Sequence, residues 1–122
     1  MRIVIGGYKV VRLPVNDALR LLDVIEDMVG FTSDDLAEAR RVFSRPKVFL
    51  DLMRRRQKEY LPLPHRVEDM IRGRIVLDKV GLRDTPNGIE AILVFDRRFE
   101  LDRVVNALEE LGYNVKVERE TL

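Results

Sequence analysis

The side chains best suited to catalysis are scarce in this chain. His65 is the single histidine and cysteine is absent, which removes disulfide frameworks, thiolate or histidine-rich metal sites and a cysteine–histidine dyad. The two serines, Ser33 and Ser44, lie in no nucleophile-elbow pattern. His65 follows Pro64 in a proline-rich stretch and reads as a surface or packing residue. The acidic pairs Asp23/Asp27, Asp96/Glu100 and Glu109/Glu110 have the spacing of solvated helix faces. Asp78 and Glu90 resemble the acidic pair of a nuclease core, but Ile92 stands where such a core needs a lysine. Gly6-Gly7 has neither a GxGxxG nor a Walker pattern around it and reads as strand geometry. No catalytic residue, metal or cofactor is therefore expected, and a metal-dependent nuclease is the least supported reading.

The charge distribution is more informative. The chain carries a net charge of +1 over 122 residues, but the basic groups are segregated. Residues 40–74 hold 11 basic and 4 acidic side chains, whereas the segments on either side are both net acidic. At helical spacing Lys47, Arg54, Arg55 and Lys58 share an outer side, interrupted by Asp51, while Arg56 falls with Phe49, Leu52 and Tyr60. Arg66, Arg72 and Arg74 follow closely. Clustered Arg and Lys supply phosphate contacts, and interleaved aromatics supply surfaces for bases to stack on. Lys47, Arg54, Arg55, Lys58, Tyr60, Arg66, Arg72 and Arg74 are thus the expected nucleic-acid-binding set, with Tyr8 or Phe43 as further stacking residues. The opposing reading is equally physical: the acidic flanks are available to neutralise these cations.

The elements that would position them follow from pattern. A strand is expected over Arg2–Arg12, ended by Pro14, then a helix over Val15–Val29 stopped by Gly30. Ser33 with Asp34-Asp35 predicts the start of a second helix, running to Phe43, and Pro46 restarts a third that carries Phe49 to Tyr60 on one face. The two prolines of Leu61–Pro64 demand extended backbone, and His65–Arg72 allows a short helix. Arg74–Arg83 and Ile89–Phe95 flank Pro86-Asn87-Gly88 as a hairpin. Asp96 is placed to cap a helix ending at Gly112, and Tyr113–Arg119 alternates as a final strand. The expected fold is a single α+β domain over residues 1–122. It is a four-stranded, mainly antiparallel sheet of β-α-α-α-(α)-β-β-α-β order, ferredoxin-like with an enlarged first helical crossover. The aliphatics in Gly88–Phe95 do not match the exposed aromatics of RNA-recognition domains.

This element order, the arginine-rich composition and the stretch from Arg54-Arg55-Arg56 to Arg66 resemble the ThermoDBP family of archaeal single-stranded DNA-binding proteins. The resemblance spans most of the chain and implies a sheet-and-helix cleft that grips single strands. Seventeen of the 22 basic residues are arginine and Gln57 is the single glutamine, a composition that suits a thermophile, although codon bias produces the same excess. The leading expectation is a non-enzymatic module that binds single-stranded nucleic acid, DNA before RNA. The alternative is an interaction or oligomerisation domain, with a homodimer formed through the apolar strand Ile89–Phe95. No apolar run approaches the roughly 18 residues of a membrane helix, so no membrane partner and a cytoplasmic location are expected.

Overall fold

The computed structural model describes residues 2–5 and 9–119. Helices and strands alternate as β1 (Arg2–Ile5), β2 (Lys9–Pro14), α1 (Val15–Val29), α2 (Asp34–Ser44), α3 (Pro46–Arg55) and β3 (Leu61–Pro62). They continue through α4 (Val67–Ile71), β4 (Leu77–Thr85), β5 (Gly88–Phe95), α5 (Leu101–Glu110) and β6 (Lys116–Arg119). The fold is α+β, as composition and pattern predicted. The antiparallel sheet is present in β1, β2, β5 and β4, and it is extended at both edges into six strands ordered β3-β4-β5-β2-β1-β6. The short β3 joins β4 antiparallel, and β6 joins β1 in parallel.

The opening segment differs from the single strand expected. It forms two strands, paired antiparallel with Val4 opposite Val10. Gly6-Gly7 and Tyr8, singled out in the sequence, lie outside the described residues.

Helix α1 has the predicted boundaries. Val15, Ala18, Leu21, Leu22 and Ile25 bury one face, and Gly30 closes it at φ 74°, its N–H bonding the Glu26 carbonyl. At the start of α2 the sequence expectation needs correction. Ser33 occupies the N-cap with extended backbone but makes no capping bond. Asp35 reaches outward instead: its Oδ2 accepts hydrogen bonds from Val76 N–H (3.0 Å) and Leu77 N–H (2.8 Å), tying α2 to the start of β4. Pro46 opens α3 as predicted, but the helix ends at Arg55, so Tyr60 does not continue its apolar face. Asp96 also serves a turn rather than a helix cap, accepting from Arg98 N–H, and α5 begins only at Leu101.

Strand alternation sorts the sheet into two faces. Val11, Leu13, Val80, Leu82, Ala91, Leu93 and Phe95 join the helices in one core cluster, with Leu21, Leu36, Phe43 and Leu108 fully buried among them. On the opposite face the pairing register sets Arg12, Ile92 and Gly81 side by side across β2, β5 and β4. Ile92 and Val94 are buried there too, which explains why Ile89–Phe95 reads as apolar on both sides.

Candidate nucleic-acid interface

Among the described residues, strand β4 is paired on its outer side at Lys79 and Val80, where the two residues of β3 lie alongside, and at Asp78, whose carbonyl accepts from Leu63 N–H. From Gly81 to the hairpin turn no described strand pairs with that edge. A groove of about 530 Å³ follows that edge, within the roughly 300–1,000 Å³ usual for binding clefts. Leu50 and Met53 of α3, Leu82 of β4 and Ile92 of β5 give it apolar surface, and Tyr60 with Gln57 lines the connection from helix to sheet. Four cations, Arg12, Arg54, Lys58 and Arg83, stand around it against two carboxylates, Glu59 and Asp84.

Gly81 is what allows Tyr60 to lie across the sheet. A Cβ at that position would come within 2.9 Å of the Glu59 carbonyl oxygen and 3.3 Å of Tyr60 Cδ1. The strand therefore gives up a side chain so that a second length of backbone can cross it. Lys79 Nζ sits 4.7 Å from the Tyr60 ring centroid, which fixes the ring further. One row thus runs from a cation at Arg12, through aliphatic Ile92, to the aromatic ring above Gly81.

A second recess of about 590 Å³ adjoins the first and shares Leu50, Arg54 and Asp84 with it. Lys47, Asp51 and Asn87 line its far side. The Arg54–Asp84 ion pair, at 3.2 Å, marks the junction of the two.

The predicted set is therefore divided. Arg54, Lys58 and Tyr60 converge on the groove, and Lys47 on the neighbouring recess. Arg55 turns back along α3 to Asp51 at 2.8 Å. Arg66, Arg72 and Arg74 gather around α4 and line neither space. Arg66 lies 3.9 Å from Asp34 and 3.7 Å from Glu68, Arg72 pairs with the same Glu68, and Arg74 covers the Phe31 ring at 5.6 Å. Phe43, expected as a stacking surface, is in the core at 1 % exposure. Arg56 is exposed at the end of α3 rather than packed beside Tyr60.

Acidic flanks do neutralise part of the basic stretch. Arg40 bridges to Asp23 at 2.7 Å and to Glu26 on α1, and its guanidinium is held more firmly protonated, first by the bond to Glu26. Arg41 pairs with Glu38 while lying over the Phe49 ring. By contrast, among the described residues no carboxylate lies within 4.0 Å of Arg12, Lys58 or Arg83. Arg12 and Arg83 escaped the sequence analysis because they lie outside the basic stretch. Their signal was strand alternation: each sits between or beside core residues, Val11 and Leu13 or Leu82, and so must face away from the core. Gly81, inside a strand pattern, was likewise a legible mark of close backbone approach.

Among the described residues no group of three or more His, Asp or Glu side chains is arranged to hold a metal. No helix among them is long and apolar enough to cross a membrane. Compared with protein families, curated proteins and solved structures, the chain matches none.

Proposed function

We propose that this protein is a non-enzymatic single-stranded nucleic-acid-binding module, and that the strand lies in the groove along the outer edge of β4. The observation that carries the reading is the convergence of Arg12, Lys58 and Arg83, without acidic partners among the described residues, on a cleft walled by Tyr60 and floored by Ile92. Cations of this kind hold phosphates, and an aromatic beside an aliphatic floor accepts the flat face of a base. The apolar width favours an unstacked base over the edge of a duplex, and DNA is the polymer we favour. Setting β1 and β3 aside, we read the sheet order β4-β5-β2-β6 as ferredoxin-like, with β1 as a strand inserted beside β2. We retain the resemblance to ThermoDBP-like proteins as part of this proposal.

Fluorescence anisotropy with labelled single strands tests the reading. With three or four phosphates neutralised, affinity should fall about 20- to 50-fold when salt rises from about 50 to 200 mM. The double variant Arg12→Ala/Arg83→Ala should flatten that dependence, whereas Arg72→Ala should leave it unchanged. Absence of binding at the lower salt refutes the proposal.

A second reading, self-association, rests on α4. Val67 and Ile71 are 70 % and 80 % exposed, and Met70 lies on the same side of the turn. Sedimentation showing a dimer that Ile71→Ser disperses, together with no affinity for oligonucleotides, favours that alternative.

A further inference from the structure

The backbone of Gln57 is the one feature of the groove that neither packing nor charge explains. At φ 52° it is the single non-glycine residue with positive φ among the described residues. It stands just past α3, where its own N–H bonds the Arg54 carbonyl (3.2 Å) and the Lys58 N–H bonds the Met53 carbonyl (2.9 Å). This paired closure of a helix is one that glycine ordinarily supplies, because a Cβ is crowded in the left-handed region. Glycine does supply the left-handed residue after α1, at Gly30. At the groove the chain keeps a long amide side chain in spite of the strain, and strained residues of this kind gather where a ligand is held.

What distinguishes Gln57 is its chemistry. The other polar side chains lining the groove, Arg12, Arg54, Lys58, Arg83, Glu59 and Asp84, are charged, apart from the Tyr60 hydroxyl. Cations hold phosphates without regard to the base attached to them. A neutral amide offers a donor and an acceptor side by side, and an unpaired base presents an adjacent donor and acceptor too, in one order on the amino bases adenine and cytosine and in the opposite order on the keto base thymine. Gln57 lines the same groove as Tyr60, two positions beyond Lys58. We infer that Gln57 reads the base held against Tyr60 and makes the protein discriminate the amino bases adenine and cytosine from the keto base thymine. The inference rests on the nucleic-acid reading of this groove.

The test is Gln57→Gly, which accepts the left-handed backbone and deletes the amide. Its Tm should rise by about 2–4 °C as strain is relieved. Anisotropy with labelled homopolymers of deoxyadenosine, deoxycytidine and thymidine then reads specificity. The wild type should bind the adenine and cytosine strands with affinities about fivefold or more apart from that of the thymidine strand, the lower end of what one paired base contact discriminates. Gln57→Gly should bind all three alike, at an unchanged salt dependence. A wild type without preference, a variant that keeps the preference, a uniform loss for all three strands, or a lowered Tm overturns the inference and leaves the binding reading standing. If the wild type binds none of the strands at about 50 mM salt, the binding reading fails as well.

Discussion

Removing the Asp35 carboxylate should be among the most damaging single changes outside the hydrophobic core. The side chain is wholly buried, and one oxygen takes both the Val76 and the Leu77 N–H groups. In Asp35→Ala those two donors lose their partner in a place water does not reach. Each unsatisfied buried donor costs about 1–3 kcal/mol, and loss of an anion from the first turn of α2 adds about 0.3–1 kcal/mol. The variant should lose about 3–5 kcal/mol, a large part of the roughly 5–15 kcal/mol that holds a typical domain folded. Asp35→Asn keeps a carbonyl oxygen for the two donors, but its amide nitrogen replaces an oxygen that is buried without a hydrogen-bond partner among the described residues. It should lose about 2–4 kcal/mol, from the weaker neutral bonds and from the buried amide N–H groups left without acceptors. Urea unfolding followed by far-ultraviolet circular dichroism measures both, with no tryptophan needed. An Asp35→Ala protein within about 0.5 kcal/mol of wild type would show that the carboxylate is not the tie between α2 and β4.

Two further outcomes are expected. Asp84→Ala frees Arg54 from its carboxylate, so oligonucleotide affinity at low salt should rise about two- to fivefold while stability moves by less than about 0.5 kcal/mol; weaker binding in anisotropy would place Asp84 among the groups that hold the strand. Tyr113 donates its phenolic hydrogen to Asp17, and burial, then that bond and the neighbouring charge, push its pKa up to about 12. Because the folded value lies above the ordinary value near 10, the stabilisation is complete below pH 10 and is lost as pH rises from about 10 to 12. Absorbance titration should show one of the three phenols ionising near pH 12. Tyr113→Phe should remove that step and about 1 kcal/mol of stability, and a titration unchanged by the substitution would refute the assignment.

Much of the scaffold was legible because local and tertiary signals agreed. Pro14, the apolar stripe and Gly30 bound α1 on their own, and Pro86-Asn87-Gly88 marked the hairpin. Misreadings arose where a tertiary contact decided the local structure. Nothing in Arg54-Arg55-Arg56-Gln57-Lys58 announces a helix end, since the left-handed position carries glutamine rather than glycine. Apolar spacing therefore carried the predicted helix on to Tyr60. Ser33 looked like a cap by residue type, yet the working carboxylate is Asp35, whose partners lie 41 and 42 positions away. The candidate site was half legible. The cations on α3 and its C-terminal turn share one stretch of sequence, but Arg12 and Arg83 reach them only through the pairing of three strands.

That pairing also explains why the basic stretch and the groove are different objects. A run of arginines is a statement about sequence neighbours, and helix geometry sends successive side chains to different surfaces. Arg55 and Arg54, adjacent in the chain, end on Asp51 and at the groove respectively. The sheet does the reverse: it brings Arg12 and Arg83 to the same groove by setting alternate residues of two strands on one face. Gly81 then determines what lies over that face. With any larger residue there, the backbone at Glu59 and Tyr60 would have to lift from the sheet, and the aromatic wall would leave the cations behind. The affinity of the proposed site thus depends on a position with no functional group at all. This is why its location follows from strand register and side-chain volume, and not from the density of positive charge along the chain.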